Sequence, residues 1–93
     1  MIEIKITYKL QSDMKHKFMD TVESLGIPQA TRNETGCLKY DFEVSADRDE
    51  VYLHELWENN ECLESHKNQP HLKKLMALKE EFDIETVADI KNI

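Results

Sequence analysis

Glu55-Leu56-Trp57-Glu58-Asn59-Asn60-Glu61-Cys62-Leu63-Glu64-Ser65-His66-Lys67-Asn68-Gln69-Pro70-His71-Leu72-Lys73-Lys74-Leu75-Met76 is the stretch around which the chain is organised. It runs from the end of a strand into two short helices, and it concentrates one carboxylate, one indole and two imidazoles where a pocket can form. Just upstream, Val51, Leu53, Glu55 and Trp57 alternate with Tyr52, His54, Leu56 and Glu58, the two-residue period of a strand. Large or apolar groups on both faces predict a central or half-covered strand. The alternation leaves Glu55 between Leu53 and Trp57, and a buried carboxylate needs a partner. Downstream, Asn59 or Asn60 can cap a helix containing Cys62, Leu63 and His66. Pro70 then opens a second helix at a position where its missing donor costs nothing, with Leu72, Leu75, Met76 and Phe82 on its inward side.

Working outward, Ile2, Ile4, Ile6, Tyr8 and Leu10 alternate with charged and polar residues and predict a first strand. Ser12 is a candidate cap for a helix whose stripe is Met14, Phe18, Val22 and Leu25, ended by Gly26 and Pro28. A short helical turn over residues 29–34 has no identifiable inward side. After Gly36, Leu38, Tyr40, Phe42, Val44 and Ala46 predict a second strand, and Asp47-Arg48-Asp49-Glu50 a charged turn. Residues 84–90 alternate weakly as a last strand. The order strand, helix, strand, strand, helix pair, strand contains two helical crossovers. It predicts one α+β domain over residues 1–93, a ferredoxin-like four-stranded antiparallel sheet with helices on one face. The second face, expected to hold the remaining apolar side chains, asks for a partner sheet.

Size points the same way. A chain of 93 residues removes only about 60 to 65% of its extended surface on folding, so a homodimer would enlarge a small core. With 12 Lys and Arg against 19 Asp and Glu, the net charge of -7 disfavours nucleic acid and anionic lipid as partners. Cys37 and Cys62 have no ligand-like spacing, the first residues lack the regions of a signal peptide, and no run has the ~18 apolar residues of a membrane span. A cytoplasmic protein is the expectation.

Three blocks carry a resemblance: Glu34-Thr35-Gly36-Cys37-Leu38-Lys39-Tyr40-Asp41-Phe42, then His54-Glu55-Leu56-Trp57, then Leu63-Glu64-Ser65-His66-Lys67-Asn68-Gln69-Pro70-His71-Leu72. In this order and spacing they resemble the antibiotic biosynthesis monooxygenase family of small quinol monooxygenase-like proteins. The resemblance implies a dimeric α+β barrel and oxidation of electron-rich phenols or quinols by molecular oxygen without flavin, haem or metal. Related proteins process a small phosphorylated signal sugar or degrade haem. It also implies catalytic roles for Glu55, His66 and His71, with Tyr40 and Trp57 lining or bordering the cavity; Leu63, next to the end of the sheet, is expected to join them in binding substrate. The asparagine found on the first strand of several oxygen-using relatives is absent here, where Ile4, Ile6 and Tyr8 stand.

The chemistry is coherent. A quinol must lose a proton before it readily gives an electron to oxygen, and an imidazole with a reference pKa near 6.5 suits that task. His66 is the expected base and Glu55 the expected organiser of its tautomer, with His71 orienting substrate or capping its helix. A zinc site of His54, Cys62, His66 and His71 is disfavoured because His54 points opposite Glu55 on the strand and the spacing fits no closed site. Competing readings are an isomerase or processing enzyme for a phosphorylated sugar-like molecule, drawing on Arg32, Lys67, Lys73 or Lys74, and a ligand-binding dimer without catalysis.

Overall fold

The computed structural model describes all 93 residues. The elements in chain order are β1 (Ile2–Lys9), α1 (Lys15–Ser24), α2 (Ile27–Arg32), β2 (Cys37–Val44), β3 (Glu50–Trp57), α3 (Asn60–Lys67), α4 (Pro70–Glu81) and β4 (Glu85–Asn92). All strand pairs are antiparallel, in the order β2-β3-β1-β4. No helix is long and apolar enough to cross a membrane.

Several local expectations are met. Asn59 caps α3, its Oδ1 accepting from the Cys62 N–H at 2.9 Å, and Pro70 opens α4. At α1 the cap differs. Met14 takes the cap position without a side-chain bond, while Asp13, at φ 64, turns its N–H to Asp49 Oδ1 at 3.2 Å.

The helices cover the face that bears Ile4, Tyr8, Tyr40, Val51, Leu53, Glu55 and Trp57, all buried. Phe18, Val22, Ile27, Leu75 and Leu78 close over it. Tyr8, Phe18 and Phe82 pack edge to face, with centroids 5.9 and 5.6 Å apart, geometry favoured by the ring quadrupoles. The second strand departs from simple alternation. A register shift between Cys37 and Lys39 turns Cys37 inward and leaves Leu38 exposed, because one extra residue in a strand reverses the side-chain phase beyond it.

Two larger expectations are overturned. The sheet is not closed into a barrel: β2 and β4 each pair with one neighbour only, so four strands form an open sheet with two edges. Closure needs about twice as many strands to complete the circle. Nor is the second face apolar. Register places Glu3, Lys5, Thr7, Asp41, Glu43 and His54 together there, and Glu3 Oε2 lies 3.3 Å from His54 Nε2. Leu56 and Val87 are its isolated aliphatic members. The charged half of each alternating pattern turned out to occupy that face.

Candidate active site

A cavity of about 170 Å³ lies between the sheet and the α3–α4 pair. Ile4, Ile6, Tyr8, Tyr40, Leu53 and Glu55 form its floor. Leu63, His66, Leu72, Leu75 and Met76 form its roof, Lys67 and Lys79 stand on its wall, and Ala88 and Ile90 edge it along β4. Apolar walls around a few polar groups are the usual make-up of a small-molecule site.

Glu55 sits on β3 opposite Ile4, so strand alternation alone forces its carboxylate into the helix-covered layer. Trp57 Nε1–H donates to Glu55 Oε1 at 2.9 Å, which leaves the second oxygen without a partner in the chain. Burial raises the Glu55 pKa, opposed by the Trp57 hydrogen bond and the nearby His66, with Glu34 adding to the rise. Tyr8 and Tyr40 are pushed up for the same first reason, burial, with Glu55 second. The Tyr40 hydroxyl is buried without a hydrogen-bond partner. Thr31 beside it opposes the rise in small part, and its own proton goes to the Ile27 carbonyl at 2.9 Å.

His66 is buried on α3. Its ring stacks at a tilt on Trp57, centroids 4.7 Å apart, and meets the edge of Tyr40 at 5.9 Å. Its Nδ1–H donates to Glu34 Oε2 at 2.6 Å. That bond fixes the tautomer and gives Nε2 the lone pair, on a ring that lines the cavity. The organising carboxylate is therefore Glu34, from the α2–β2 loop, and not Glu55, which forms no hydrogen bond with His66. Gly36 permits the approach of this loop. At φ +79 it occupies backbone space that favours glycine, and an added Cβ would overlap Cys62 Sγ and Cβ on α3.

His71 is placed elsewhere. Its Nε2–H donates to the same Glu34 Oε2 at 2.7 Å, and it lines a wider depression of about 500 Å³ with Asn33, Glu34, Thr35, Glu61 and Ser65. That hollow is broader but lined mostly by polar groups, whereas the smaller cavity is lined mostly by apolar side chains and is the better site for chemistry. Trp57 is wholly buried behind His66 and does not line the cavity, whereas Tyr40 and Leu63 do. The phosphate candidates are scattered: Arg32 bonds the Tyr40 carbonyl at 3.0 Å, Lys67 pairs with Glu64, and Lys73 and Lys74 lie outside the cavity. Burial, with Glu34 and Glu55 behind it, pushes the Cys37 thiol up to about 11, which removes it as a thiolate nucleophile.

Glu34, His66 and His71 also bring three donor atoms within 4.8 Å of one another, and two imidazoles with one carboxylate are a transition-metal donor set. The spacing is tight for it. Bonds of about 2.0–2.1 Å at a tetrahedral angle separate ligand atoms by about 3.3 Å, and both nitrogens stand closer than that to Oε2. The set fits a hydrogen-bonded triad without adjustment and a metal only after opening.

Glu34 is the residue missed by sequence reasoning. The signal was the Glu34-Thr35-Gly36 block, in which the glycine marks a close backbone approach.

Known proteins share this architecture. A Deinococcus radiodurans protein named for the antibiotic biosynthesis monooxygenases superposes with a TM-score of 0.86 at 18% identity, covering 100% of this chain and 92% of that one. A similarly named Nitrosomonas europaea protein gives 0.87 at 16% identity, with 100% and 98% coverage, and a conserved protein from Methanosarcina mazei gives 0.84 at 22%, with 98% and 90%. At these identities the likeness establishes the fold. No curated protein matches the chain. The family model described as antibiotic biosynthesis monooxygenase matches residues 1–78, with the oxidoreductase-type role that this family carries, and the chain belongs to the antibiotic biosynthesis monooxygenase family.

Proposed function

We propose that the protein is a cofactor-independent monooxygenase that oxidises a small quinol or phenol with molecular oxygen, with His66 as general base. One observation carries the reading: an imidazole fixed by a carboxylate on Nδ1, with no partner in the chain for Nε2, on the wall of an apolar cavity. Nε2 takes the phenolic proton, and Glu34 stabilises the imidazolium that forms. Glu55, through its free oxygen, accepts a hydrogen bond from a second substrate hydroxyl. The apolar walls leave the phenolate poorly solvated and so ready to give an electron to oxygen. Recombination of the radical pair forms a carbon–oxygen bond. Loss of water from the resulting hydroperoxide places one oxygen atom in the quinone carbonyl and the other in water, and the substrate supplies every electron. The dispersed lysines and arginine argue against the phosphorylated-sugar alternative.

A homodimer is part of the proposal. Every residue of β4 is exposed, including Val87 and Ile90, as is Ile93 just beyond it, and a second copy would cover this apolar material.

A panel of quinols and phenols monitored for oxygen uptake under ¹⁸O₂ tests the reaction. One labelled atom per product molecule is expected. Turnover without oxygen uptake would replace the oxidation by an isomerisation, and absence of any turnover across binding ligands would leave a binding protein.

A further inference from the structure

The cavity carries two lysines in different electrostatic situations. Lys67 Nζ lies 3.0 Å from Glu64 Oε1, so its charge is already paired. Lys79 Nζ forms no ion pair. Its contacts are Met76 Sδ at 3.9 Å and the face of Tyr8, whose centroid is 5.6 Å away. An ammonium has three donors, and the protein offers this one a thioether and a ring face but no oxygen, its remaining side being open to solvent. Partial burial lowers the Lys79 pKa, the mark of a cation that has lost hydration without gaining a counter-charge. In a chain with 19 acidic residues, an unpaired lysine on a cavity wall is conspicuous.

Its position relative to the proposed base is informative. His66 stacks on Trp57, which pairs with Ile2 at one end of β1. Lys79 stands over Tyr8, near the other end of the same strand. Along β1 the proposed base and Glu55 thus lie towards one end of the cavity and the unpaired ammonium towards the other, with the Tyr8 and Tyr40 side chains on the floor between. The volume of about 170 Å³ is on the order of the ~150 Å³ that accommodates one benzene ring in an apolar protein cavity.

We propose that the substrate is a single-ring phenol or quinol bearing a carboxylate, its hydroxyl end at His66 and Glu55 and its carboxylate on Lys79. The proposal rests on the oxidation reading only for the chemistry, since the ligand class follows from the cavity. A neutral quinol would leave the ammonium unpaired. A phosphate would bring two charges and three acceptor oxygens to one unpaired lysine, with no arginine lining the cavity. The acidic groups nearest Lys79 outside the cavity, Glu80 and Asp83, are exposed and form no ion pair with it, and more distant exposed charges are screened beyond about 8 Å at physiological ionic strength.

Trp57 is the only tryptophan and packs against His66, so its fluorescence reports occupancy. Binding of 2,5-dihydroxyphenylacetate and of its methyl ester is measured under anaerobic conditions, where no turnover occurs, on the wild-type chain, Lys79→Met and Lys79→Arg. Calorimetry repeats the measurement and thermal melts verify folding. The acid is expected to bind the wild type at least ~10-fold more tightly than the ester. Lys79→Met should reduce that preference to within about twofold, and Lys79→Arg should keep most of it. Equal binding of acid and ester by the wild type, no binding of either, or an undiminished preference in Lys79→Met would overturn the proposal. Acid-selective binding without oxygen uptake in air would leave the ligand class standing and remove the oxidation reading alone.

Discussion

Glu34 Oε2 lies 2.6 Å from His66 Nδ1 across a separation of 32 residues. The loop after α2 thereby reaches under α3 and decides which nitrogen of the imidazole is basic. His71, bonded to the same oxygen, steadies the carboxylate from the solvent side.

Replacing Glu34 should therefore act on turnover more than on binding. Glu34→Gln keeps an acceptor but removes the charge that stabilises imidazolium, and kcat for oxygen uptake should fall about 10²- to 10³-fold with little change in KM. His71→Ala, which does not touch the cavity, should cost less than about tenfold. Steady-state oxygen-electrode kinetics on both variants check this. A loss in KM alone would place Glu34 in substrate binding instead.

Glu55 predicts a pH dependence of stability. Burial raises its folded pKa above the usual carboxylate value, so between about 4.3, the ordinary glutamate value, and that raised value the native chain holds more protons than the unfolded one. Stability contributed by Glu55 is present below this window and lost as pH rises through it. Glu55→Gln retains an oxygen for Trp57 and removes the titration. It should melt at a higher temperature than the wild type at pH 7 to 8, with the gap closing below about pH 4, each 1 kcal/mol corresponding to roughly 4–8 °C at this size. Thermal melts across that range decide it, and a gap that widened on acidification would reverse the assignment.

The arrangement of strands and helices was legible because long alternating or helical patterns and specific punctuation agreed. Asn59 and Pro70 announced α3 and α4 through capping chemistry that is local in sequence. The phase of Leu38 was not legible, since a register shift is fixed by how β2 meets β3 and not by the composition of β2. Of the site, alternation alone put Glu55 inside. Its pairing with His66 is what the resemblance and the chemistry of other histidine-based sites imply, whereas the carboxylate bonded to His66 is Glu34, from a distant loop that no periodicity describes. The barrel expectation came from the resemblance, and nothing in the order of four strands closes the sheet.

The metal reading of Glu34, His66 and His71 is separable from the proton-transfer reading. Dialysis against a chelator should leave oxygen uptake unchanged, since both imidazoles are held by hydrogen bonds at 2.6 and 2.7 Å that a metal would have to open. Activity lost on chelation and restored by one divalent ion would make this triad a metal centre.

Exposed Ile90, on a strand with no covered residue, locates the proposed self-association. Sedimentation at micromolar concentration should give twice the monomer mass, and Ile90→Glu should shift the population towards monomer. A wild-type monomer at that concentration would remove the dimer from the account.

The most direct test of the central claim is the rate of oxygen uptake by His66→Ala beside the wild type, on the same quinol and with folding verified by the melting transition. Removing the base should slow the reaction about 10²- to 10⁴-fold, with partial recovery on adding free imidazole. An undiminished rate would show that the substrate loses its proton to some other group.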